Sequence, residues 1–449
     1  PPPRIARKNP RRARIGWGEV ICLNIHVVRA GEDLRAVAAQ YGVAAGIVAG
    51  LNGVAPYSPL AVGQTLVIRH PRELHTVALG ESVYSIALRY GLSVRTLYQN
   101  NFALGGRSAL YPGQTLVISY DDAPSRTLAV NAYAYPFIRG GLLDAALPYL
   151  TYLTPFTYGI NSDGTLLPPS DEWLLAAAGQ YRTASLMHLS TLTEDGRFDS
   201  SRSTLVLESA DAQDALVQSV LDTVQAKHYF GLDVDFEYVL PEQREAYAAF
   251  VARLRDALGM VGCPVIAALA PKTSAAQRGL LYEAHDYALL GAAADAVFLM
   301  TYEWGYTYGP PMAVAPLPQV RAVLDYAVSV IAPEKIFMGI PLYGYDWTLP
   351  FTRGETRAES LSPVQAVERA LRYDVSIQYD ERAQAPCYYY TDRGGREHAV
   401  WFEDARSIEA KLRLAEEYGL QGVGYWSLTR GFPQNWAVLS SLFDIETLL

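Results

Sequence analysis

Asp233, Asp235 and Glu237 occupy every second position of the stretch YFGLDVDFEYV, interleaved with Leu232, Val234 and Phe236. In an extended chain this period sends the three carboxyls to one face and the three apolar side chains to the other. Carboxyls crowded on one poorly solvated face repel one another, and the least costly state shares a proton and raises at least one pKa. A carboxyl still protonated near neutral pH is what general acid catalysis requires. Glu237 comes last in the run, so in a barrel strand it lies nearest the C-terminal mouth, where barrel active sites sit.

The elements around this stretch must put it there. Apolar strand patterns occur at 127–135, 152–160, 184–191, 230–237, 264–271, 296–304, 335–344 and 422–428, separated by helical stretches such as DAQDALVQSVLDTVQAKH and EQREAYAAFVARLRDALG. Eight strands alternating with helices over residues 127–449 predict the α/β class and a (β/α)8 barrel. Between the seventh and eighth strands lie VSIQYD, PCYYYTD and a further helical pattern, which predict a small α+β insertion at about 345–402.

Upstream the chain repeats itself. HVVRAGEDLRAVAAQYGV from His26 returns as HTVALGESVYSIALRYGL from His75, and GQTLVI at Gly63 returns at Gly113. Each unit has a short strand at either end and two helical patterns between, so it predicts strand–helix–helix–strand. The units at 26–69 and 75–119 resemble LysM modules, which bind N-acetylglucosamine polymers such as peptidoglycan and chitin. The resemblance implies glycan contacts from Gly31, Glu32, Asp33 and Asn52 in the first unit, and from Gly80, Glu81, Ser82 and Asn101 in the second. The polar stretch 120–126 is expected to be a linker.

GLDVDFE matches the last three acidic positions of D-x-x-D-x-D-x-E, and MTYE and GYWSL match two further motifs. On these residues the region 127–449 resembles the family 18 glycoside hydrolases. The resemblance implies substrate-assisted hydrolysis at a sugar bearing a 2-acetamido group. Glu237 is then the acid, Asp235 and Asp233 a proton-sharing pair, Tyr302 a hydroxyl donor and Trp426 the floor under the reacting sugar. Met300 and Glu303 belong to the strand-six motif. Two positions depart from the pattern: Phe230 stands where the first aspartate belongs, and Glu303 replaces an aspartate. Altered proton sharing is the expected consequence of the first. Trp304, Tyr343 and Trp347 follow strand ends and are expected to line the sugar cleft, since aromatic faces stack on pyranose rings. His188, on strand three, is expected to be a satisfied core histidine.

Tandem modules joined to this barrel look like the spore cortex-lytic N-acetylglucosaminidases, which implies cleavage of β-1,4 bonds after N-acetylglucosamine in peptidoglycan, at the spore coat or cortex or the cell wall. A chitinase and a non-catalytic carbohydrate-binding coat protein are the alternatives. The isolated barrel is expected to keep activity on soluble fragments and to lose affinity for insoluble sacculi.

Composition narrows the classes. The net charge is −9, which does not suggest nucleic-acid binding. Residues 1–25 hold six basic side chains against Glu19, a Pro/Arg-rich extension of +5 that leaves −14 on the remainder. No apolar run is long enough to span a membrane. The extension lacks an apolar signal region, so classical secretion is not expected from this start. Cys22, Cys263 and Cys387 form neither a disulfide framework nor a zinc pattern. No metal or cofactor is expected. The oligomeric state is not written in the sequence.

Overall fold

The computed structural model describes residues 23–193 and 195–449; residues 1–22 of the basic extension, with Cys22, and Glu194 lie outside them. Eight parallel strands form the catalytic body: Arg126–Ala134, Tyr152–Pro155, Ala184–Ser190, Gly231–Asp235, Val265–Leu269, Ala296–Leu299, Ile336–Pro341 and Gly422–Trp426. The eighth pairs back on the first, Gly422 beside Ala129 and Tyr425 beside Ala132, so the sheet closes. This is the expected (β/α)8 barrel. A short ninth strand, Phe443–Ile445, runs parallel to the start of the first.

The fourth strand behaves as its alternation requires. Leu232, Val234 and Phe236 are fully buried, and Phe236 stacks on Tyr247 of the helix Arg244–Gly259 with ring centroids 5.7 Å apart. That apolar face meets the outer helices, which leaves Asp233 and Asp235 on the barrel interior. The preceding helix Ala210–Lys227 is capped by the Ser209 hydroxyl and stops at His228 in the left-handed region, φ 56°.

The insertion between strands seven and eight is an antiparallel sheet in the spatial order Glu359–Leu361, Gly344–Thr348, Glu397–Trp401, Ala385–Thr391, Gln378–Asp380, covered by the helix Pro363–Arg372. Its Gly344–Thr348 strand leaves the barrel mouth directly after strand seven.

Each repeat unit forms the expected strand–helix–helix–strand. Asn24–Val27 pairs antiparallel with Thr65–Ile68, and Pro71–Thr76 with Thr115–Tyr120. The stretch 120–126 is not a loose tether. The Asp121 N–H donates to His70 O, Arg69 Nε donates to Asp122 Oδ2 at 2.8 Å, and the Ser125 N–H donates to Leu442 O. Both modules therefore sit against the barrel.

Candidate active site

The C-terminal ends of the strands surround a cleft of about 530 Å³ lined by Asp235, Glu237, Met300, Tyr302, Glu303, Trp304 and Trp426 among others. Glu237 lies two residues past the end of strand four, just before Tyr238, whose φ of 57° is left-handed. Burial pushes its pKa up to about 8, with the nearby Asp235 and Glu303 charges adding to the rise. It is therefore predominantly protonated at neutral pH, which is the state a general acid needs.

Behind it, Asp233 and Asp235 are buried, and among the described residues neither Asp233 Oδ1 nor Asp235 Oδ1 has a hydrogen-bond partner. Burial raises Asp233 to about 6, against the pull of His188 and of the Tyr133 hydroxyl, which donates to Asp233 Oδ2 at 2.8 Å. Phe230, at the missing aspartate position, packs against Tyr152 near the start of the strand, 5.8 Å between centroids. Asp233 takes its neighbours from strands one and three instead.

His188 is buried, as a core histidine would be, but its surroundings are not inert. It lies directly opposite Asp233 in the parallel register of strands three and four. One ring nitrogen hydrogen-bonds with Thr157 Oγ1 at 2.5 Å; the other is 3.6 Å from Asp235 Oδ2 and 3.8 Å from Asp233 Oδ2. The same period-two argument that singled out strand four carries the signal. It puts Tyr133 and Tyr135 of strand one, and His188 of strand three, on the interior face as well.

Tyr302 is buried and its hydroxyl is held far above the usual range, first by burial and then by Asp235 and Glu237. It stays a proton donor. Gly339 on strand seven makes room for it: a Cβ there would come within 2.8 Å of the Tyr302 ring. Trp426, ending strand eight, meets Tyr133, Tyr135 and Phe156 edge-on at 5.1 to 5.7 Å, which fixes the indole across the base of the cleft.

Glu303, with φ 67°, points to the mouth. Its carboxylate accepts from the Tyr343 hydroxyl and from the Tyr345 hydroxyl at 2.9 Å. Burial raises its pKa, and the two hydroxyls oppose the rise. Two aromatic assignments are corrected. Trp347 is fully buried and donates its indole N–H to Gly309 O at 2.8 Å, and Tyr343 is buried with its hydroxyl on Glu303. Neither lines the cleft; both support residues 303–309 from behind. Tyr345, whose stretch LYGYDW was also expected at the sugar cleft, shares that work. Trp304 does line the cleft.

The module residues divide similarly. Gly31 and Gly80 are turn glycines, with φ of 82° and 83°. Glu32 accepts from the Arg29 N–H and pairs with His26 Nε2 at 2.9 Å; Glu81 accepts from the Ala78 N–H and pairs with His75 Nε2 at 2.7 Å. Asp33 and Ser82 are helix N-caps. The Asn52 and Asn101 amides bridge their own helix to the closing strand, through Val67 and Val117 respectively. These polar side chains help build the loops, and Asp33 and Ser82 stay exposed on them. Among the described residues no cluster of His, Cys, Asp and Glu could hold a metal ion.

The arrangement puts a carboxyl with a raised pKa in a cleft at the C-terminal face of the barrel, a placement suited to general acid chemistry. Residues 180–431 match glycosyl hydrolases family 18, and residues 26–69 and 75–119 match the LysM domain. The chain belongs to glycosyl hydrolase family 18. It is 39% identical to the cortical fragment-lytic enzyme of Bacillus subtilis (strain 168), over 94% of this chain and 99% of that one. It superposes on the crystal structure of the Bacillus cereus spore cortex-lytic enzyme SleL with a TM-score of 0.81 at 37% identity, covering 95% and 99% of the two chains. The Bacillus megaterium QM B1551 spore cortex-lytic enzyme SleL gives 0.80 at 37% identity, covering 95% and 99%.

Proposed function

We propose that the protein hydrolyses β-1,4 bonds after N-acetylglucosamine in cortex peptidoglycan fragments, with retention of configuration, working at the spore cortex. The observation that carries this is Glu237 in the cleft, its pKa raised by burial, next to the buried Asp233 and Asp235 of its own strand. Both aspartates come from the same strand as the acid and lie behind it, which favours a nucleophile supplied by the substrate itself. The full-length likeness to cortex-lytic enzymes supports the choice of peptidoglycan over chitin.

Glu237 gives its proton to the glycosidic oxygen as the C1–O bond breaks, and the leaving sugar departs as an alcohol. The 2-acetamido carbonyl oxygen bonds to C1 and forms an oxazolinium ion. Asp235 accepts from the acetamido N–H and, with Asp233, balances the charge. The Tyr302 hydroxyl donates to the acetamido oxygen as charge develops there. Glu237, now a carboxylate, takes a proton from the water that attacks C1 and reopens the ring. Trp426 supports the sugar from below.

Mass spectrometry of cortex fragments incubated with wild type and with Glu237→Gln tests the reading. New reducing-end N-acetylglucosamine from wild type alone is expected. Fragments left intact by wild type, with chitin oligomers cut, would make the protein a chitinase; both left intact would make it a binding protein.

A further inference from the structure

The two LysM modules occupy different surroundings. The turn that leads into the closing strand is Ala61–Thr65 in the first module and Tyr111–Thr115 in the second, 50 residues on. Ala61 is 3% exposed and belongs to the apolar core of the insertion, with Leu361, Ala366, Tyr390 and Phe402. Its counterpart Tyr111 is 72% exposed. A Cβ on Gly63 would meet Ile377 O at 1.9 Å, while one on Gly113 would meet nothing within 4 Å. The Ile377 N–H donates to Val62 O, and the Gln434 amide donates to both Asn52 Oδ1 and Thr65 O. On the loop after the first strand, Ala30 of the first module is replaced by Leu79 of the second, 89% exposed.

We propose that the first module is a fixed wall of the catalytic unit, keyed into the insertion by Ala61–Thr65, and that capture of the glycan strand falls to the second. The polymer half of this rests on the function proposed above. The keyed turn reaches the cleft through contiguous contacts. Tyr390, in the same core as Ala61, donates its hydroxyl to Asp346 Oδ2 at 2.7 Å. Asp346 sits between Tyr345 and Trp347 on the first strand of the insertion, and Tyr345 holds Glu303. Ala61 is a positioning residue in this scheme. The second module leaves an apolar side chain exposed on the loop after its first strand and on the turn before its last, Leu79 and Tyr111, to lie against sugar faces. The first module's exposed aromatic, Tyr57, already has the Arg35 guanidinium over its ring at 4.5 Å.

The test uses the full chain, with soluble cortex fragments for kinetics and insoluble sacculi for retention. Ala61→Tyr writes the second module's residue into the keyed turn. It is expected to raise KM on soluble fragments about tenfold with a smaller change in kcat, because it shifts the insertion strand whose Tyr345 holds Glu303 and leaves the acid in place. Ala61→Ser is expected to restore the wild-type KM. Gln434→Ala attacks the seam from the barrel side and is expected to move KM the same way to a lesser degree; it carries the test if Ala61→Tyr does not fold. Tyr111→Ala is expected to weaken sacculus retention severalfold, and Tyr57→Ala to leave it close to wild type. A wild-type KM in both Ala61→Tyr and Gln434→Ala overturns the wall. Loss of retention in Tyr57→Ala with retention kept in Tyr111→Ala overturns the assignment of capture. Failure of wild type to cut fragments at all overturns instead the function on which the polymer half rests.

Discussion

Glu237 in the cleft and Glu81 in the second LysM module are the same residue type, shifted in opposite directions. Glu237 is surrounded by apolar rings and other acids, so burial and like charge hold its proton on. Glu81 accepts from the Ala78 N–H and pairs with His75, so its pKa is lowered, as is that of Glu32 at the matching place in the first module. The difference separates a carboxyl kept ready for chemistry from one used up in holding a turn.

The comparison breaks most clearly if the two glutamates are neutralised in turn. Glu237→Gln is expected to lower kcat on cortex fragments by about 10³-fold or more, since it removes the proton donor and leaves the shape. A second, smaller effect belongs to the cleft alone: Tyr302→Phe is expected to lower kcat by about 10²-fold, from loss of one donor at the oxygen that gains charge. Steady-state kinetics with one defined fragment reads both.

The pH dependence sharpens the same contrast. Glu237 must be protonated to act as acid, and its pKa is raised, so kcat/KM is expected to fall as pH rises through about 8. The stability effect follows the same sign. The folded-state pKa lies above the unfolded value, so the ionised form opposes folding increasingly as pH rises. Glu237→Gln is therefore expected to melt at a higher temperature than wild type at pH 8, with the gap closing toward pH 4. The smallest change is the reverse case. Glu81 has a lowered pKa, so its contribution to stability is present above the unfolded value and lost as pH falls. Glu81→Gln is expected to lower the melting temperature slightly at pH 7 and not at low pH, with kcat on soluble fragments unchanged.

Much of this was legible in the sequence because alternation is geometric. Once Leu232, Val234 and Phe236 must face helices, Asp233, Asp235 and Glu237 have no other face to occupy. Eight such strands in order make the barrel, and the offset of 49 residues between His26 and His75 makes the paired modules. What the sequence hid is long-range. Tyr133 and His188 are ordinary strand residues until closure of the barrel brings them against Asp233, 100 and 45 residues away in the chain. Trp347 and Tyr343 looked like cleft residues because they follow a strand end, but the insertion folds back over them. Ala61 carries no local signal at all. Its burial in the insertion core, beside the bonds its turn makes to Ile377 and Gln434, is what sets it apart from the exposed Tyr111.

The central claim is that Glu237 works with a nucleophile supplied by the substrate. It is tested most directly by the anomeric form of the first product, followed by proton NMR within the first minutes of cleavage, before mutarotation. The predicted result is β-configured reducing-end N-acetylglucosamine, because the oxazolinium ion forms on one face and is opened from the other. An initial α product would mean direct attack by water, and would contradict the roles of Asp235 and Tyr302 in holding the acetamido group.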